Sequence, residues 1–226
     1  LMPIASIPAM DLLLLRLGNS KVIDEVIVAT STAEQDDVLV EHLKGLGAPV
    51  FRGEEKNVLS RFLEITSQIP PTIIVRITGD CPFVDPAVVD SVVNMLITHG
   101  ADYSSNVNPR SFPHGLDVEA FRSDLLTWTH NHADSKKALE HVTTLMRDTE
   151  LLEKQNLESG GDYSHIRVTL DYPEDLLVMQ KVASNVSNLI NFGWQEIVEL
   201  RKNHPEIFLA NARFAARVAE RETLET

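Results

Sequence analysis

The sequence predicts an α/β fold, one sheet with helices on both faces, and three observations carry that prediction. Short runs rich in β-branched residues alternate with stretches whose apolar residues recur at helical spacing. Two of the runs, IIVRITGD from Ile73 and IRVTLD from Ile166, pass directly into an acid with a proline close behind, as strands do where a sheet delivers side chains to a ligand-binding edge. A chain of 226 residues, 43% hydrophobic, is long enough to bury one substantial core, so a single domain over residues 1–226 is the simplest organisation. The helix–strand alternation further predicts right-handed crossovers and hence a parallel sheet.

Taken in order, residues 9–17 set Met10, Leu13, Leu14 and Leu17 at helical spacing, and Gly18-Asn19 ends that helix. Residues 26–29, Val-Ile-Val-Ala, are the first clear strand, with hydroxyls of Thr30, Ser31 and Thr32 at its end. A helix over 35–44 buries Val38, Leu39 and Leu43, and 49–51 make a short strand. Asn57 caps a helix whose apolar face holds Leu59, Phe62, Leu63 and Ile65, and Pro70-Pro71 stops it. The run at 73–77 is almost wholly apolar, as a strand buried on both faces must be. Gly79 ends it, and Asp85 with Pro86 opens a helix over 87–96. Residues 101–106 give a weaker strand, and 108–115 a loop bearing Pro and Gly that we expect to be mobile and to border the site.

In 116–121 apolar and acidic residues alternate strictly, which predicts a strand with one wet face carrying Asp117 and Glu119. Helices follow at 123–132 and 135–146, and a loose turn at 159–162. The run at 166–175 repeats the logic of the first: a strand ends in Asp171, and Pro173 starts a helix. Helical stretches at 194–203 and from 206 onward complete a C-terminal extension over 189–226, whose last ten residues read as a solvated tail.

A net charge of −13 argues against nucleic acid or an anionic membrane as the main partner, because both require a positive field, and it suits a cytoplasmic protein. The single cysteine, Cys81, excludes an internal disulfide and a thiol-rich zinc site, and it has no base partner in sequence, so a buried spectator thiol is expected. No apolar stretch approaches the roughly 20 residues of a membrane span. The first residue is Leu, and we expect the natural polypeptide to begin earlier.

Two acids at two strand ends, Asp80 and Asp171, suit Mg²⁺, which takes one or two carboxylates and completes its shell with water and phosphate; each acid equally suits an independent helix-capping role. Arg76, Arg110 and Arg167 are candidate anion contacts, although an arginine such as Arg76 on a strand is equally a partner for a structural ion pair. His130 and His132 lie two apart and share no helix face, so they are no metal pair.

Four ordered motifs then carry a resemblance: RITGDCP from Arg76, PHGLDVE from Pro113, EHVT from Glu140 and LDYPED from Leu170. Together they resemble the bacterial cytidylyltransferase family, in particular its spore coat polysaccharide branch, which is similar to the enzymes that make CMP-activated acidic sugars. The resemblance implies a Rossmann-like nucleotidyltransferase fold and transfer of a cytidylyl group from CTP to a sugar for a surface polysaccharide or glycan, releasing pyrophosphate. It places Mg²⁺ on Asp80 and Asp171 and makes Arg76, Asn106, Arg110, His114, Asp117, Glu119 and His141 substrate-binding candidates. Asp117 and Glu119 would meet sugar hydroxyls, or simply be solvated acids of a wet face. A homodimer is implied as well. Members of the family usually begin with a strand and a basic, Gly-bearing loop for the triphosphate, and this sequence resembles them from just after that loop. They also often carry an acid at the positions of Ser60 and His114. The competing readings are a glycosyltransferase and a catalytically silent nucleotide- or sugar-binding module of the same fold.

Overall fold

The computed structural model describes residues 1–215. A two-residue hairpin, β1 (Pro3–Ile4) against β2 (Ile7–Pro8), leads into α1 (Ala9–Leu17), which buries Leu12, Leu13 and Leu17. β3 (Val28–Ser31) and β4 (Val50–Gly53) pair in parallel, in register from Val28 opposite Val50. A 3-10 turn (Glu34–Asp36) and α2 (Asp37–Gly45) make the crossover between them. α3 (Val58–Gln68) begins where the Asn57 side chain accepts the Ser60 N–H at 3.0 Å, and it leads to β5 (Ile73–Arg76). α4 (Pro86–His99) is capped by Asp85, which accepts from Ala87 N at 2.8 Å, and ends on Gly100 in the left-handed conformation.

From that point the chain stops alternating. β6 (Tyr103–Ser105) is followed by β7 (Glu119–Arg122) with no helix between them, so β7 returns antiparallel to β6 and adds antiparallel to β5 on its other side. Parallel neighbours need a long crossover, whereas a chain that returns directly does not. β8 (Lys154–Asn156) pairs in parallel with β6, giving a four-stranded mixed sheet of order β5-β7-β6-β8 instead of the all-parallel sheet expected. One face of it packs on α4 and α1 through Val88, Val92, Leu96 and Leu13; the other packs on α3 and the helices after β7 through Leu59, Phe121 and Met146.

Those helices are α5 (Asp124–His132), α6 (Lys136–His141) and α7 (Thr144–Asp148). The helix expected over 135–146 is broken at Val142, whose φ of 57° forms a tight turn closed by Thr143 N on His141 O at 2.5 Å. The run from Ile166 is extended but is no regular strand, with a single parallel bridge between His114 and Arg167. Its backbone bonds alternate between two different segments, so no ladder develops. α8 (Pro173–Ala183), α9 (Trp194–Asn203) and a 3-10 turn (Pro205–Leu209) then cover a third core under Phe83, Val178 and Phe192. The helix expected from 206 onward is thus a 3-10 turn and a short helical stretch at 212–215, and the tail at 217–226 lies outside the described residues. No helix of the described residues is long and apolar enough to cross a membrane.

Candidate active site

Asp80 follows β5 through Thr78 and Gly79. Its Oδ1 accepts from the Thr78 hydroxyl and lies 3.4 Å from Cys81 Sγ. The loop behind it is fixed from below. Arg16 is fully buried, donates from Nε to Val84 O (2.8 Å) and from its two Nη atoms to Leu189 O (3.0 Å) and Phe192 O (2.8 Å), and lies 4.0 Å over the Phe192 ring. Burial brings its pKa down to about 10, with Asp85 opposing, so it remains a cation at neutral pH. Asp85 caps α4 with one oxygen and takes Trp194 N, at the start of α9, with the other at 2.8 Å. Cys81 is buried, and burial pushes its thiol well above its ordinary pKa, so no nucleophilic thiolate forms.

Asp171 comes to the same place without a regular strand. Leu170 N donates to the Asp80 carbonyl at 2.8 Å and the Thr169 hydroxyl donates to it at 3.1 Å, which sets the two acid-bearing segments side by side. The Asp171 carboxylate is half exposed and its Oδ2 accepts from Arg167 Nη2 at 2.6 Å. Arg167 is 3% exposed, and its Nε and Nη2 also hold Asp175 at 2.9 and 2.8 Å. Asp175 in turn accepts Asp171 N and Tyr172 N, closing the first turn of α8, and takes Asn211 Nδ2 at 2.9 Å. Burial alone would raise the Asp175 pKa, but these donors bring it below the usual carboxylate range. Arg167, a candidate anion contact in the sequence, is therefore committed to carboxylates of its own chain.

Between the two acids runs PHGLD. His114 N donates to Ile166 O and His114 O accepts from Val168 N, both at 2.8 Å. Gly115, at φ 107°, passes so close that a Cβ there would lie 2.5 Å from Val168 C, so only glycine fits. The His114 imidazole Nδ1 lies 3.4 Å from Arg167 Nη1, and burial lowers its pKa, leaving it neutral. Arg110 makes a two-pronged pair with Asp117; burial favours the protonated acid, and Arg110 reverses this and draws the Asp117 pKa below its usual value. The loop expected to be loose is stitched down: Asn156 takes Asn108 N and gives Nδ2 to Pro109 O, each at 3.0 Å, and Ser111 O accepts from Tyr163 N at 2.8 Å.

Other expected contacts are spent on the fold. Glu119 is 5% exposed, so the predicted wet face is buried, and its carboxylate accepts from Arg76 (2.7 Å), Tyr103 (2.6 Å) and Thr143 (3.0 Å). Arg76 and Glu119 thus use their charges on one another. Asn106 is buried with its amide clamped between Leu116 O at 2.8 Å and Val118 N at 2.9 Å. His141 is exposed at the end of α6, beside the Val142 turn.

Sequence reasoning missed Arg16, Asp85 as a double cap, and Asp175 as organiser of Asp171. Asp175 carried a local signal, an acid three residues after Tyr172 at a Pro-initiated helix start, and Asp85 carried one for its cap on α4 but none for Trp194. For a cation, Asp80 Oδ2 and Asp171 Oδ1 make no hydrogen bond to another described residue. No group of three His, Cys, Asp or Glu side chains among the described residues forms a closed metal site. Two carboxylates without a third protein ligand fit Mg²⁺, which keeps water and phosphate oxygens, and do not fit zinc.

Residues 1–213 match the family model described as cytidylyltransferase. The chain is 31% identical over 214 residues to the spore coat polysaccharide biosynthesis protein SpsF of Bacillus subtilis, covering 91% of this chain and 88% of that one. Among solved structures it is similar to a cytidylyltransferase from Leptospira borgpetersenii, with a TM-score of 0.86 and 28% identity over 92% of this chain and 88% of the other. CMP:2-keto-3-deoxy-manno-octonic acid synthetase complexed with CTP superposes with a TM-score of 0.58 at 16% identity over 81% of this chain and 90% of that one, a likeness of fold alone.

Proposed function

Because the chain belongs to the cytidylyltransferase family and is a nucleotidyltransferase, we propose that it transfers a cytidylyl group from CTP to a sugar hydroxyl, releasing pyrophosphate, with Mg²⁺ held by Asp80 and Asp171. The single observation that best supports this is the docking of Leu170 N and Thr169 on the Asp80 carbonyl, which presents, from adjacent segments, two carboxylates whose Asp80 Oδ2 and Asp171 Oδ1 no other described residue hydrogen-bonds. A bound Mg²⁺ supplies charge neutralisation for the triphosphate and the departing pyrophosphate. The chain's own residues do the positioning. Thr78 orients Asp80, Arg167 orients Asp171, and Asp175 holds Arg167 and the start of α8 in place. We place the sugar on the side of neutral His114 and the Arg110–Asp117 pair, where the imidazole offers a hydrogen-bonding edge without adding charge. The name of the Bacillus relative directs the choice of acceptor toward sugars of a surface polysaccharide.

The test is pyrophosphate release from each of the four common ribonucleoside triphosphates, with Mg²⁺ and a panel of acidic and neutral sugars. Release with CTP and one sugar class, abolished by EDTA, is the expected result. Transfer that survives EDTA would remove the ion from Asp80 and Asp171. CTP binding without release for any sugar would leave the silent binding module as the better description.

A further inference from the structure

The last described residues of the chain grip the motif that carries Asp171. Asn211 is 1% exposed yet belongs to none of the three cores, and its Nδ2 donates to Arg167 O at 3.1 Å and to Asp175 Oδ1 at 2.9 Å. A buried amide is costly unless it is bonded, and this one spends its donors on residues 44 and 36 positions earlier. Three residues on, the Phe214 ring stacks on Tyr172 with centroids 4.0 Å apart and planes 6° from parallel. Arg213 pairs with Glu174 and sets its guanidinium 4.6 Å over the Phe214 ring. Tyr172, Glu174 and Asp175 of LDYPED are thus met one by one by Phe214, Arg213 and Asn211.

These contacts are unequal in weight. The Arg213–Glu174 pair is 66% and 29% exposed, so water screens it and it contributes little. The other two act on a pair sealed from water, Arg167 and Asp175 at 3% and 0% exposure. Asp175 holds the backbone N–H groups of Asp171 and Tyr172, and Arg167 Nη2 holds the Asp171 carboxylate, so whatever orients Asp175 and Arg167 orients Asp171 in both backbone and side chain. Among the described donors to Asp175, Asn211 is the one from outside residues 167–172, and by also holding the Arg167 carbonyl it ties the start of α8 to the extended run before it. The Tyr172 and Phe214 ring centroids lie 5.7 and 5.9 Å from the Arg167 guanidinium carbon, so the stacked rings flank the cation and keep water from the pair. We propose that residues 211–214 are a clasp on LDYPED, with Asn211 and Phe214 as positioning residues for Asp171; the ion that Asp171 serves rests on the transfer reading above. Groups that orient a metal-binding side chain commonly change ion affinity about 10–100-fold. The acids of the motif divide accordingly: Asp171 faces the ion, and Glu174 and Asp175 face the chain's own helical stretch at 212–215 and the residue before it.

The test reads two quantities without nucleotide: amide exchange at Asp171 and Tyr172, and Mn²⁺ binding followed by the EPR signal of the free ion, counting only the binding that Asp171→Asn removes. In Asn211→Ala and Phe214→Ala, exchange at both amides quickens at least about tenfold, and Val168 N, bonded to His114 O, changes by less than about threefold. The same variants weaken the counted Mn²⁺ binding by about tenfold or more. Asn211→Asp sets a second carboxylate against Asp175 and exceeds Asn211→Ala in both readouts. Phe214→Tyr keeps the stacked ring and matches the parent chain. Leu126→Ala opens a cavity in the core beneath α5, lowers the melting temperature and moves neither quantity. Unchanged exchange at Asp171 and Tyr172 overturns the proposal. So does Mn²⁺ binding equal to the parent's, or a loss matched by Leu126→Ala, since Asn211 then only stabilises the fold. Where the Asn211 variants do not fold, Phe214→Ala decides by the same criteria, because Phe214 lies outside the three cores. Quickened exchange in the variants, in a chain from which Asp171→Asn removes no Mn²⁺ binding, upholds the clasp and counts against the ion of the transfer reading alone.

Discussion

Asp80 and Asp171 reach one edge by different routes. Asp80 stands at the end of a paired strand, with its loop riveted by Arg16 and Asp85, and its carboxylate needs only the Thr78 hydroxyl for orientation. Asp171 has no ladder behind it and is placed by ions: Arg167 holds it, Asp175 holds Arg167, and Asn211 holds Asp175. An acid carried by a strand inherits its position from the backbone. An acid carried by a charge network is only as well placed as the least satisfied member of that network, and a buried pair is costly to break.

The largest effect tests what the two arms share. Asp80→Asn and Asp171→Asn each lower Mg²⁺-dependent transfer by on the order of 10²–10³-fold with the melting temperature nearly unchanged, and the double variant is little worse than either. Independent, multiplying losses measured by steady-state kinetics would mean that the acids do not serve one ion.

The next effects separate the arms. Arg167→Met leaves Asp175 as an uncompensated buried charge, and we expect urea unfolding to show a loss on the order of 3–5 kcal/mol together with a roughly 10–100-fold higher Mg²⁺ requirement. Thr78→Val, the corresponding change beside Asp80, costs only about 1 kcal/mol and shifts that requirement by under about tenfold. Equal responses in the two titrations would mean that both acids are placed in the same way.

Acid acts on the two arms unequally. His114 adjoins the Asp171 arm with a lowered pKa, so the unfolded chain takes up its proton first as the pH falls. Its contribution to stability is complete above the ordinary histidine value of 6.5 and is lost as pH falls through the lower folded value. Unfolding measured from pH 8 down to pH 5 shows this decline, and His114→Gln flattens it by an amount smaller than either effect above. A decline unaltered in the variant would assign it to other groups.

The strand at 73–76 and its acid were legible in the sequence because an apolar run, a glycine and a Pro-initiated helix report backbone geometry locally. The helices at 9–17, 58–68 and 86–99 were legible for the same reason. Ile166 to Leu170 carried the same apolar signature and yet is not a ladder, since burial between two different segments selects the same residue types as burial within a sheet. Alternation at 116–121 suggested a wet face, but Glu119 finds Arg76, Tyr103 and Thr143, partners 43, 16 and 24 residues away. Composition records that a charge is present. It does not record what that charge meets.

Arg16 and Asp85 also impose an order of assembly. The Asp85 carboxylate waits for Trp194, 109 residues later, and Arg16 for Phe192, 176 residues later. At translation speeds of about 5–20 residues per second, Asp85 has left the peptidyl-transferase centre for roughly 5–20 s before its second partner is even polymerised. Throughout that interval the Gly79–Asp85 loop lacks its rivets, and its strand gains a neighbour only once Glu119–Arg122 has been made. A ribosome-bound nascent chain stalled before Phe192 should therefore hold a folded β3–β4 unit and a protease-sensitive Asp80 loop, so that the residues of the proposed Mg²⁺ site are among the last to become resistant to cleavage.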